Sequence, residues 1–303
     1  MIRSSHRAAA RNGTDLPVML PFRLPDRGGP GVSDWAALAG DRRLAPLLAG
    51  VLAIWLVTDA ALAQMQGDAD QTAFQTLVKW TPMMFSGPEG VLGGFLLNIV
   101  VSFGAMAIGT VLGLWVGLGQ VSRIGLVRGA SRLVTQIFRN SPWLVLLFYV
   151  MLLMPYRAQV FGHPLVLEGW WKATLALSLP IMANISDIVR GAIASVPTGQ
   201  WESAESLAFS RRQTIWRIIL PQCITRMIPP WMNWYCILTL STPLISILGI
   251  SDAMTLTQDA LAAENRSEFL IPLYLWLMSW FFLYIYPIAL FTRRLERRFA
   301  TRL

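Results

Sequence analysis

Residues 91–121 run for 31 positions without one ionisable side chain. At ~1.5 Å of rise per residue, a helix over this stretch outreaches the ~30 Å hydrocarbon layer of a bilayer. The rest of the chain agrees, for only 14% of its 303 residues are charged and 54% are hydrophobic. Soluble domains carry about 25% charged residues. A cytosolic enzyme or solvated repeat protein is therefore excluded, and the chain reads as an all-α integral membrane protein.

Five further stretches are apolar enough to cross. Residues 44–63 carry Asp59 as their one charge, near an end, and residues 227–251 and 269–292 carry none. Residues 142–155 are short and need part of 133–141 to reach across; residues 173–186 need extension to about Ile193. The total is six spans. Pro180 and Pro243 fall inside them and should kink or interrupt the helix.

The charge balance of +8 sets the orientation. Seven of the 25 basic residues lie in 1–43, four in 122–141, five in 187–226 and five after Thr292. Lys79, Arg157, Lys172 and Arg266 occupy the alternate connections, with Asp68, Asp70, Glu89, Asp252, Asp259, Glu264 and Glu268. The positive-inside rule then puts both termini in the cytoplasm. The surplus is a topology signal and not a nucleic-acid footprint. Residues 1–43, rich in Pro and Gly between Pro21 and Gly31, read as a flexible cytoplasmic tail. Residues 44–63 read as a retained anchor, and 64–90 as a periplasmic segment.

Inside the spans, Ala105, Gly109, Gly113 and Gly117 recur every four residues and predict close helix packing. Trp80, Trp170 and Trp171 sit near span ends as interfacial anchors. Asn98, Asn184, Asn233, Ser241 and Thr242 are polar at membrane depth and must face other helices or a wet cavity. Together they form a candidate translocation path. Arg139 with Asp187, or Asp187 with Arg190, should pair at the boundary. Cys223 and Cys236 read as small buried hydrophobes, and His163 as a solvated loop residue.

The loop of residues 195–222 is structured. Pro197 and Gly199 break the chain, Thr198 is a plausible N-cap with Glu202 in the first turn, and a short helix follows to about Ala208. Ser210 and Gln213 form a capping-box pattern opening a second short helix, which Leu220-Pro221 ends. Its pattern, Glu202-Ser-Ala204, Ala208 and Ile218-Ile-Leu220-Pro221, resembles the EAA loop of ABC-importer permeases, E-A-A-x3-G-x9-I-x-L-P. Phe138-Arg-Asn-Ser-Pro142 resembles the F-R-G-T-P element of the polar amino-acid branch of that family. Asp187-Ile-Val-Arg-Gly-Ala192 and Val196-Pro-Thr-Gly-Gln-Trp-Glu202 resemble its E-I-F-R-G-A and I-P-x-G-Q-W-E stretches. The likeness covers about residues 90–300.

The resemblance implies a type I importer core of five helices in residues 91–303, with the helix at 44–63 as an extra. It implies a coupling helix seated on a separate ATPase, with Glu202, Ala204, Ala208, Ile218, Leu220 and Pro221 as the coupling residues. Ala204 and Ala208 would present a small face to that partner. It further implies a bacterial inner-membrane location, a cytoplasmic ABC ATPase dimer, a second permease subunit, like or unlike, and a periplasmic solute-binding protein, amid membrane lipid. ATP and Mg would sit on the ATPase, with no cofactor on this chain. Two departures stand out. The motif glycine is Ala208, so a positive φ there would be strained, or the break would move to Phe209-Ser210. Leu240-Ser-Thr-Pro-Leu244 replaces a Lys-Asp/Asn-Thr-Ser-Leu-like run, which removes a charged pair.

The sequence has no Walker A pattern, no metal-ligand constellation and no catalytic triad. It reads as a transport subunit and not an enzyme. The alternative, an ion-driven secondary transporter or channel without an ATPase, would need an ionisable residue deep in a span. Only Asp59 and Asp187 come near.

Overall fold

In a computed structural model, residues 73–88, 92–160 and 163–300 are described. The tail, the apolar stretch at 44–63 and Asp59 lie outside them. The described chain is helical throughout, apart from one two-stranded ribbon. Helix α1 (Ala73–Ser86) leads into α2 (Gly94–Gln120), then α3 (Gly125–Asn140) and α4 (Trp143–Leu153). Strands β1 (Arg157–Val160) and β2 (His163–Val166) pair antiparallel, so His163 lies in a strand and not in an open loop. Helix α5 (Gly169–Ala194) precedes α6 (Thr198–Ser206). A single turn, α7 (Arg211–Gln213), continues through a π-helical segment, Thr214–Ile219, into α8 (Leu220–Ser241) and a 3-10 segment, Thr242–Leu248. Helices α9 (Ala253–Glu264) and α10 (Leu270–Ala300) complete it.

Among the described residues, four helical stretches, Gly94–Gln120, Gly169–Ala194, Arg211–Leu248 and Ser267–Glu296, are long and apolar enough to cross a membrane. They match four of the expected spans. The span expected at 142–155 does not borrow a collinear turn from 133–141. Helices α3 and α4 meet at 106°, because Ser141 precedes Pro142 and takes extended backbone (φ −80°, ψ 136°). A residue before proline is pushed out of the α region. Helix α3 is instead a separate amphipathic element, with Leu126, Ala130, Leu133 and Ile137 along one face and Arg128, Arg132 and Arg139 off it.

Packing is densest between α2 and α5, which run parallel. A Cβ on Gly109 would lie 2.6 Å from Ile181 Cγ2, one on Gly113 2.7 Å from Ile185 Cβ, and one on Gly117 2.6 Å from Val189 Cβ. The small-residue stripe therefore serves close helix approach, as its spacing predicted. Pro180 does not interrupt α5, whereas Pro243 stands where α-helix gives way to the 3-10 segment. Leu97, Val101, Ile181, Ile185, Leu238 and Ile245 form one buried core. A second joins α1 and α10 through Leu77, Met84, Phe269, Leu273 and Trp280, with Phe95 edge-on to Phe281 at 5.0 Å. Both cysteines are buried.

Two contacts tie helix termini together at one end of this bundle. Gly94 adopts φ +59°, and a Cβ there would fall 2.4 Å from the Met84 carbonyl. Its N–H donates to the Ser251 carbonyl at 2.9 Å, tying the start of α2 to the approach to α9. Lys172, which is buried, donates to the Met154 carbonyl at 2.8 Å and so satisfies an orphan carbonyl at the end of α4.

Candidate functional site

The 195–222 segment folds into one exposed helix hung between two long ones. Thr198 is the first residue of α6 and Pro197 its cap, so Glu202 lies beyond the first turn, contrary to the expected Thr198 cap. Proline is pre-set for this entry and lacks only an N–H that would be unpaired there. The helix ends in a Schellman motif. Ala208 N–H donates to the Glu205 carbonyl at 2.9 Å and Phe209 N–H to the Ala204 carbonyl at 3.1 Å. Ala208 itself takes φ +57°. The break stays at Ala208 and does not shift to Phe209-Ser210.

Ser210 and Gln213 make the predicted capping box. Gln213 N–H donates to Ser210 Oγ, and Ser210 N–H donates to Gln213 Oε1 at 2.9 Å. The second helix does not stop at Leu220-Pro221, however. The π-helical turn ahead of Pro221 widens the backbone where an α-turn would press a carbonyl against the ring, and the helix runs on into α8. The second helix of the loop, from Arg211, is thus one piece with the long helix ending at Leu248, and α6 meets it at the Ala208–Ser210 turn.

The side chains of α6 divide by face. Ala204 is only 2% exposed, so its small side chain packs against the chain itself and is not offered outward as expected. Glu202, Ser203, Glu205 and Ser206 are exposed, and so is Ala208. Neither Glu202 nor Glu205 joins an ion pair among the described residues. Ile218 and Leu220 are half-buried, and Pro221 is exposed. The inner face is fastened by the Arg211 guanidinium over the Trp201 ring at 5.4 Å, and by Arg226 donating to the Ser195 carbonyl at 2.7 Å. Just above, Asp187 accepts from both Arg139 and, at 3.2 Å, Arg190. Both anticipated pairs exist at once.

The polar residues at depth do not converge on one point. Asn98 and Thr242 meet, with Asn98 Nδ2 donating to Thr242 Oγ1 at 3.0 Å. Asn184 donates to the Pro180 carbonyl at 2.8 Å, and Ser241 to the Ile237 carbonyl at 2.9 Å, each within its own helix. Asn233 lies exposed on α8. Two further groups escaped the sequence reading. Asp252 is fully buried and caps α9, accepting from Thr255 N–H at 3.0 Å and from Asn98 Nδ2 at 3.1 Å. Burial pushes its carboxyl up, against the pull of those hydrogen bonds. Tyr235 shares a 2.5 Å hydrogen bond with Tyr284 and stacks near Trp231, which donates to Thr110 at 2.8 Å. For Tyr235 the signal available was its four-residue spacing from Thr239 on α8; Asp252 carried none.

Among the described residues no His/Cys/Asp/Glu group could hold a metal ion. Residues 109–303 match the family described as binding-protein-dependent transport system inner membrane component. A probable amino-acid ABC transporter permease, YckA of Bacillus subtilis, is 31% identical over 210 residues, covering 69% of this chain and 89% of the relative. A second, y4tF of Sinorhizobium fredii, is 35% identical over 168 residues, 55% of this chain and 70% of the relative. The crystal structure of an amino acid ABC transporter with histidines shares the fold at a TM-score of 0.58 and 23% identity, covering 73% of this chain and 98% of that one. With a glycine-like break at Ala208, a helix exposed beyond the bundle and a family match over most of its length, the chain belongs to the inner-membrane components of binding-protein-dependent transport systems.

Proposed function

We propose that this chain is the permease subunit of an ATP-driven importer of polar amino acids or related small solutes, with α6 as the element that docks on a separate ATPase. One observation carries the reading. Helix α6 presents an uncommitted acidic face at Glu202 and Glu205, yet is fastened to the bundle through Trp201 and Ser195 and joined by the tight turn at Ala208–Ser210 to a 38-residue helix. A rigid load on that face moves α8 with it. Closure of two ATP-bound ATPase subunits would thus tilt the bundle and alternate its access. ATP and Mg belong to that partner; this chain contributes no hydrolytic group.

The basic end of the bundle, with α6, faces the cytoplasm in this reading, and so do both termini. A periplasmic solute-binding protein delivers solute to the opposite end, where α9 lies. The exposed face of α8, with Asn233, Ile237 and Leu240, turns toward a second permease subunit and lines the path with Ser241. Relatives named for cystine and for octopine transport support a zwitterionic solute.

The test is Glu202→Trp in proteoliposomes holding the whole importer. ATP hydrolysis should continue while solute uptake falls at least tenfold, with the chain still inserted. Unchanged uptake would refute the docking role.

A further inference from the structure

A groove of 540 Å³ opens between the last turns of α2, the start of α3 and the π-helical segment. Its floor is apolar, made by Trp115, Leu118, Val121 and Ile215. Trp115 is 62% exposed and stands 6.2 Å from Trp216, itself 42% exposed, with the rings tilted 58°. The rim is cationic. Arg211 is committed, donating to the Val121 carbonyl at 3.1 Å and covering Trp201. Arg123 and Arg212 at this groove, and Arg217 at the adjoining 480 Å³ recess, join no ion pair among the described residues.

From this geometry we infer that the groove binds an anionic phospholipid, its phosphodiester held by Arg123, Arg212 and Arg217 and an acyl chain laid along Trp115 and Leu118. Guanidinium groups recognise phosphate oxygens bidentately. A basic pocket between spanning helices at the cytoplasmic boundary suits an acidic headgroup. A free anion would leave the tryptophan floor bare, whereas an amphiphile satisfies both halves. Trp115 lies five residues before the end of α2, about 7–8 Å along the axis, at the depth where indole rings favour the interface. Helix α3 extends the surface, with Leu126 84% exposed beside Arg128. The choice of the cytoplasmic leaflet rests on the orientation proposed above; the groove chemistry does not.

The experiment titrates the purified full chain, with whatever ATPase co-purifies, with dioleoylphosphatidylglycerol and separately with dioleoylphosphatidylcholine, and reads bound lipid by native mass spectrometry. Phosphatidylglycerol should be retained about tenfold better. The R212Q/R217Q double variant should lose most of that tenfold preference, since each basic residue contributes roughly fivefold, while R212K/R217K keeps most of it. Trp115→Ala, with every charge intact, should lose several-fold and decides the matter if the glutamine variant does not fold. Equal retention of the two lipids, no loss in R212Q/R217Q, or displacement by equimolar inorganic phosphate would overturn the groove. Retained ATPase without lipid preference sinks this inference alone, and lipid preference without any ATPase sinks the proposed function alone.

Discussion

Phe209 N–H reaches back 3.1 Å to the Ala204 carbonyl across Ala208, which closes α6 in a left-handed turn built without glycine. An L-residue in that conformation costs about 1–2 kcal/mol. Ala208→Gly should therefore raise stability by about 1 kcal/mol, seen as a higher Tm of the purified chain. Ala208→Val should lower it. A Tm unmoved by either change would show that the turn is not strained.

The α2–α5 contact makes a sharper demand. A Cβ on Gly113 meets Ile185 Cβ at 2.7 Å and the Met182 carbonyl at 2.8 Å. Gly113→Ala should cost about 1–3 kcal/mol by overpacking. Gly191→Ala, where nothing lies within 4 Å, should be neutral or stabilising by up to about 1 kcal/mol. Thermal unfolding of both variants separates close approach from a general cost of adding a methyl.

Asp252 and Asn98 act as a unit joining α2, the 3-10 segment and α9. Asn98 Oδ1 also accepts from Ala253 N–H at 3.1 Å. Asp252→Ala removes the cap of α9 and one partner of Asn98, at a cost of about 1–3 kcal/mol. The double variant with Asn98→Ala should cost less than the sum of the singles. Strict additivity in a double-mutant cycle would deny the coupling.

The α1–α9 contact should respond to acid. Lys79 Nζ and Trp80 Nε1 both donate to Glu264 Oε1, at 2.6 and 2.7 Å. These bonds, Lys79 first, hold the Glu264 carboxyl below its ordinary range. A depressed folded pKa means the contact contributes in full above the unfolded value of about 4.3 and is lost as pH falls through the folded one. The protection of α1 amides against hydrogen exchange, relative to their intrinsic rates, should fall below about pH 4, and Glu264→Gln should show the lower protection at neutral pH. Lys79 is half exposed, so the effect is modest and weakens with salt.

Sequence pattern carried the long helices well, because hydropathy over 91–121 or 173–193 depends on no distant residue. The capping box at Ser210 and the Asp187 pairs were legible for the same local reason. Three features were not. The 106° bend at Ser141 hides inside an apolar count that does not distinguish an amphipathic turn from a spanning one. The passage of a helix through Pro221 depends on a π-turn that no propensity announces. Asp252 looked like one more loop acid, since its burial is set by Asn98, more than 150 residues away. Ala204 likewise has its inward face fixed by the tertiary packing of α6.

The central claim is that α6 is the surface an ATPase grips. Both native cysteines are buried, so an introduced thiol on α6 stands out chemically. The measurement is cross-linking of Ser203→Cys, on the exposed face of α6, to the co-expressed ATPase subunit, compared with Ala262→Cys on α9 at the opposite end. The account predicts a permease–ATPase adduct from position 203, changed in yield by ATP, and none from position 262. Adduct formation from 262 with none from 203 would contradict it.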